Sequence, residues 1–166
     1  MLQHNDLLMT IAQVSATFAG FSGIIGVFRR ASSLSELEIG ALQVRAVVEI
    51  SVLATGFALL PFVPYGFGAS PAVTWRLCSA IAGSACLGSF VGAMRRARAS
   101  TGALPIATDP LLVGVGLTVI ATSEILLWLN AFGVASSAAA TFYVVALLVL
   151  LAHAGFMFIR LLIPRS

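Results

Sequence analysis

Four ionisable side chains set inside long apolar runs are the residues of this chain most able to do chemistry: Arg45, Glu49, Glu124 and His153. A charged group near the centre of a membrane helix costs about 2.5–3.5 kcal/mol on insertion scales. Its presence marks a partner, a water-filled cavity or a function. Arg45 and Glu49 stand one helical turn apart, hence on one face, in a stripe that runs Glu38, Arg45, Glu49, Gly56. Glu49 lies eight residues past Ala41, about 12 Å in from the nearer membrane edge. Arg45 is long enough to snorkel to the interface, and Glu49 is not. Two readings of the pair are open. It is an internal ion pair that neutralises both charges, or part of a polar cavity or conduction path.

Glu124 is the lone acid of its apolar run and lies about 12 Å from the opposite edge. No basic residue falls within a turn or two of it. It is therefore either a neutral, hydrogen-bonded carboxyl or a proton or cation site. Gln13 falls at similar depth and is the best intrachain partner for it, with Thr122, Ser123 and Asn130 adding polarity nearby. His153 precedes Arg160 by seven residues, which gives it the depth of Glu49. Imidazole beside carboxylate makes a titrating pair; a packing or hydrogen-bonding His is the alternative.

Signatures of catalysis are missing, so no enzyme, cofactor or metal site is expected. Cys78 and Cys86 are eight residues apart on one helix, too far for a mutual disulfide. Two Cys and two His give no zinc spacing. Neither a nucleophile elbow nor a glycine-rich phosphate loop occurs in a suitable setting.

The elements that must position these groups are membrane helices. Hydrophobic residues make up 60% of the chain and charged residues 9%, against about 25% charged in a soluble domain. Crossing a hydrocarbon core roughly 30 Å thick takes about 20 apolar residues. Five runs qualify: Leu7–Phe28, Gly40–Phe62, Ala72–Met94, Pro110–Ala131 and Ala138–Leu162. Backbone groups in lipid must pair within their own segment, and runs such as Val144–Ala152 do not alternate as barrel strands do. The expected fold is all-α and polytopic, one transmembrane domain over residues 1–166. Ser33 with Glu36, and Ser35 with Glu38, have capping-box spacing, so the second helix starts in the polar loop. Pro61 and Pro64 close it, and Asp109–Pro110 reads as the start of the fourth. The first run lacks a basic leader and is read as a retained helix, not a signal peptide.

Arginine placement sets the orientation. Arg29 and Arg30, then Arg95, Arg96 and Arg98, then Arg160 and Arg165 all fall on one side of a five-span bundle. That side is the cytoplasm, which places the N-terminus outside and the C-terminus inside. Tyr65, Trp75, Trp128 and Tyr143 fall near the outer boundary, where amphipathic rings favour the headgroups. The expected location is a bacterial inner (cytoplasmic) membrane. The net charge of +3 then reflects orientation and anionic lipid, with no nucleic acid as partner.

Small residues come in rows that let helices approach closely. One row holds Ser15, Ala19 and Gly23 with Gly20 beside it; another holds Ala80, Ser84, Gly88 and Gly92. They predict packing within the chain or between subunits. The chain also resembles itself. Ile50–Phe62 and Leu117–Leu129, displaced by 67 residues, share five identical positions. Ser15–Gly23 resembles Ser84–Gly92, and an arginine pair follows each. This reads as a tandem two-helix hairpin with a fifth helix appended, or as chance in a small alphabet. The functional expectation is a small oligomeric membrane protein, a channel or pore lined by Arg45, Glu49, Glu124, His153 and Gln13. The alternative is a non-catalytic scaffold or accessory subunit that binds another membrane protein.

Overall fold

The computed structural model describes residues 4–28, 34–99, 110–134 and 136–162. Its helices are α1 (Asn5–Phe28), α2 (Leu34–Leu59), the one-turn α3 (Phe62–Gly66), α4 (Pro71–Ala99), α5 (Pro110–Ala131) and α6 (Ala139–Leu162), with a 3-10 turn at Ser136–Ala138. No strand occurs among the described residues. Five apolar stretches in these helices are long enough to cross a bilayer: Asn5–Val27, Gln43–Gly66, Pro71–Arg95, Gly114–Ala131 and Ala139–Arg160. The chain is a multi-pass membrane protein. Its second helix does begin in the polar loop, at Leu34. The cap residues Ser33 and Asp109 and the arginines Arg29, Arg30 and Arg165 lie outside the described residues.

Helix α1 runs along α2, and α4 along α5, while α6 lies between the two hairpins and touches both. Helices α2 and α4 barely meet. One half of the bundle is filled by Leu8, Ile11, Phe57, Trp75, Leu127, Tyr143 and Leu147, all buried. Large apolar side chains such as Phe21, Val52, Ile125 and Ile159 point outward. In lipid that exposure carries no penalty, because hydrocarbon is as apolar as leucine.

The two prolines behave differently. Pro61 ends α2, while Pro64 sits inside the one-turn α3. A proline has no N–H to return to the carbonyl four residues back. At Pro61 that carbonyl belongs to Phe57, and the Tyr143 hydroxyl of α6 donates to it at 2.7 Å. Helix α3 closes with Gly68 at φ +82, where the Gly68 N–H donates to Tyr65 O and the Ala69 N–H to Pro64 O, each at 3.0 Å. Helix α5 closes the same way at Gly133, φ +77, with bonds of 2.9 Å to Asn130 O and, from Val134, 3.0 Å to Leu129 O. Both are left-handed caps that satisfy the last carbonyls. Asn130 ties three helices together: its amide donates to Ser79 Oγ of α4 at 2.7 Å and to Ala139 O of α6 at 2.9 Å.

The small-residue rows face outward only in part, since Ser15 is buried and Ala19 and Ala80 are half-buried. Ser84 and Gly88 are exposed, as are Gly20 and Gly23, and Gly92 is half-buried. A Cβ added at Gly20, Gly23 or Gly88 would meet nothing within 4 Å. Close approach occurs elsewhere, at Gly26, where a Cβ would lie 3.0 Å from Val44 Cγ1, and at Gly83, 3.2 Å from Trp128 Nε1. Buried Ser15 and Ser22 share the inward face of α1. Two of the four boundary aromatics also turn inward: Trp75 and Tyr143 are buried, ring centroids 5.6 Å apart, and do not face headgroups.

Candidate functional site

Where α2 and α4 part, a cleft of about 130 Å³ opens between them, backed by α5 and α6. Each of the four helices contributes polar groups that are remote in sequence. Glu49 comes from α2, Cys86 and Ser89 from α4, Ser123 and Glu124 from α5, and His153 from α6. Apolar side chains, among them Ile50, Leu53, Phe90, Ile120 and Leu150, make the rest of the wall. Exposed Ala93 marks where the cleft reaches the surface.

Glu49 is half-buried and turned toward α4, where Ser89 Oγ donates to its Oε1 at 2.9 Å. Arg45, a turn away, is exposed and does not line the cleft. The two members of the sequence pair thus point to different surroundings. Glu124 is held by its own helix: Trp128 Nε1 donates to Oε2 at 2.9 Å. The indole fits because α4 has only Gly83 at that level; a Cβ there would stand 3.2 Å from Nε1 and 3.5 Å from Glu124 Oε2. The other carboxylate oxygen, Oε1, is buried with no hydrogen-bond partner. Gln13, expected as the partner of Glu124, is instead exposed on α1, and the carboxylate takes its bond from Trp128. The reason is rotational: Ile11, Ala12 and Ser15 occupy the buried face of α1, which turns Gln13 outward.

His153 is 7% exposed and lines the cleft. Its Cε1 lies 3.5 Å from where a Gly116 Cβ would stand, so the ring packs against α5 at ordinary contact distance. The Nδ1 atom is buried without a partner. Neither neighbouring serine is turned to that atom: Ser89 donates to Glu49, and Ser123 donates to Ala146 O at 3.5 Å. The cleft therefore presents two carboxylates and an imidazole in an apolar frame. It can hold a positive charge or a proton, and it shows no serine activated by Nδ1. Among the described residues no group of three or more His, Cys, Asp or Glu is placed to hold a metal ion.

Of the five polar residues singled out in the sequence, Glu49, Glu124 and His153 meet at one cleft, while Arg45 and Gln13 stay outside it. Ser89, Ser123, Cys86, Trp128, Gly83 and Gly116 belong to the site and were not singled out as a set. The i,i+4 spacing of Glu124 and Trp128 was the readable signal for one of them. No protein-family model matches the chain, and neither a curated protein nor a solved structure matches it.

Proposed function

We propose that the chain passes protons or small cations across a bilayer through the cleft bounded by Glu49, Glu124 and His153. One observation carries the reading: ionisable groups from three separate helices, each costly to place in a membrane, line the same space. In the proposed arrangement the N-terminus is outside and the C-terminus inside, in a bacterial inner membrane. The α1–α2 and α4–α5 hairpins are read as a tandem repeat around α6, since α6 lies between them. Flux into liposomes holding purified protein tests the function. Wild type should exceed empty liposomes, and Glu49→Gln and Glu124→Gln should each reduce the excess. No flux at any voltage or pH, or flux indifferent to both substitutions, sinks the proposal.

A second reading, a scaffold or self-assembling subunit, has its own support. The Ser84–Gly88 face of α4 is exposed, with open space beside Gly88. A partner helix, from another copy or another membrane protein, would approach closely there.

A further inference from the structure

Every residue that lines the cleft falls inside one of the apolar spans. Ala46, Ala93 and His153 place it toward the ends of those spans that carry Arg95 and Arg160. The packed half of the bundle, around Trp75 and Tyr143, lies at the other end. Because α2 and α4 barely meet, the space opens sideways between them, and the medium at that opening is bilayer hydrocarbon. The surface that faces the space is almost entirely apolar. Ser89 Oγ donates to Glu49 Oε1 and Trp128 Nε1 to Glu124 Oε2, while Glu124 Oε1 and His153 Nδ1 are buried rather than open to it.

We propose that a lipid acyl chain enters between α2 and α4 and lies in this cleft against Leu53, Phe90 and Leu150. Left empty, the wall forfeits the dispersion contacts of a filled interior. Water fits poorly, since it needs about two to four polar partners in a cavity. The space holds about 130 Å³, and an apolar cavity of roughly 150 Å³ takes one benzene, so the last six or so carbons of a chain fit. A helix of another protein chain, about 10 Å across with its side chains, is too wide for it. Leu150 is 7% exposed and lines the cleft, which makes it the residue that tells a chain inside the bundle from one outside. A seated chain keeps water out and so closes the path proposed above; the lipid site itself does not depend on that path.

The test is photolabelling of the full-length protein in nanodiscs of phosphatidylcholine that carries a diazirine in the terminal half of one acyl chain, with labelled residues mapped by mass spectrometry. Leu150 should be labelled together with Ile125, which stands at similar depth and is 59% exposed on the outer surface. Ala46→Phe fills the cleft, and a chain sharing that space is disfavoured about tenfold or more. It should lower the Leu150 label by that factor and spare Ile125. Val52→Phe, on the outward face of α2, should label as wild type. Ile125 labelled without Leu150 in the wild-type protein overturns the assignment without any variant having to fold. So does a Leu150 label that ignores Ala46→Phe. Ion flux with Leu150 unlabelled discards the lipid site and keeps the path. Labelling without flux discards the path and keeps the lipid site.

Discussion

The Tyr143 hydroxyl stands 2.7 Å from the carbonyl oxygen of Phe57, the acceptor that Pro61 leaves without its helical donor. Both residues are buried, Tyr143 fully and Phe57 at 6% exposure. A side chain of α6 thus completes the backbone of α2 where a proline ends it. The bond couples the central helix to the first hairpin at a point where lipid could not supply a donor.

Tyr143→Phe keeps the ring and orphans the Phe57 carbonyl, so it should destabilise the protein by about 1–3 kcal/mol. Adding Pro61→Ala restores an N–H at residue 61 and should recover part of the loss. The check is thermal or denaturant unfolding in nanodiscs. Strict additivity of the two substitutions would show that the proline and the tyrosine do not serve the same carbonyl.

Trp128 and Glu124 should be coupled through their 2.9 Å bond. A double-mutant cycle with Trp128→Phe and Glu124→Leu should give an interaction energy of at least about 0.5 kcal/mol, the lower range for residues in contact. A value indistinguishable from zero would mean that the indole does not hold the carboxylate.

Gly83 and Gly88 are five residues apart on α4 and should respond in opposite ways. Gly83→Leu drives a branched side chain into the Trp128 indole and should destabilise the fold, because a Cβ already stands 3.2 Å from Nε1. Gly88→Leu meets open space and should leave the monomer's melting temperature unchanged. If Gly88→Leu instead changes the oligomeric state in detergent or nanodiscs, the exposed row is covered by a second chain, which favours the scaffold reading.

Orientation is open to direct labelling. In a background with Cys78 and Cys86 replaced by Ala, Gly68→Cys should react with an impermeant thiol reagent applied to sealed cells. Ser100→Cys should be protected until the cells are opened. The reverse pattern would overturn the arginine argument.

Much of the fold is legible in the sequence because a bilayer imposes constraints along one dimension. Thickness sets the length of each run, and the demand for internal backbone bonding makes each run a helix. The helices α1, α2, α4, α5 and α6 match the five expected spans to within a few residues, apart from the N-terminal extension of α2. Depth is legible for the same reason. Glu49 and Glu124, counted from opposite edges, each fall about 12 Å in, which leaves them roughly 6 Å apart in depth within a core of about 30 Å.

Rotation about the helix axis is what only the tertiary structure decided. A soluble helix announces its inward face by polar residues on the other side. Here lipid and interior are both apolar, so sequence periodicity carries no such signal. That is why Arg45 turns outward while Glu49 lines the cleft, and why Gln13 is exposed while Trp128 holds Glu124. It is also why the helices close on Gly26 and Gly83 and leave the longer rows of Gly20, Gly23, Ser84 and Gly88 facing out. The sequence by itself determined which groups belong to the long apolar helices and how far along each helix they stand. Packing around α6 determined which of them meet, since mutual fit of side chains, not avoidance of water, chooses the buried face.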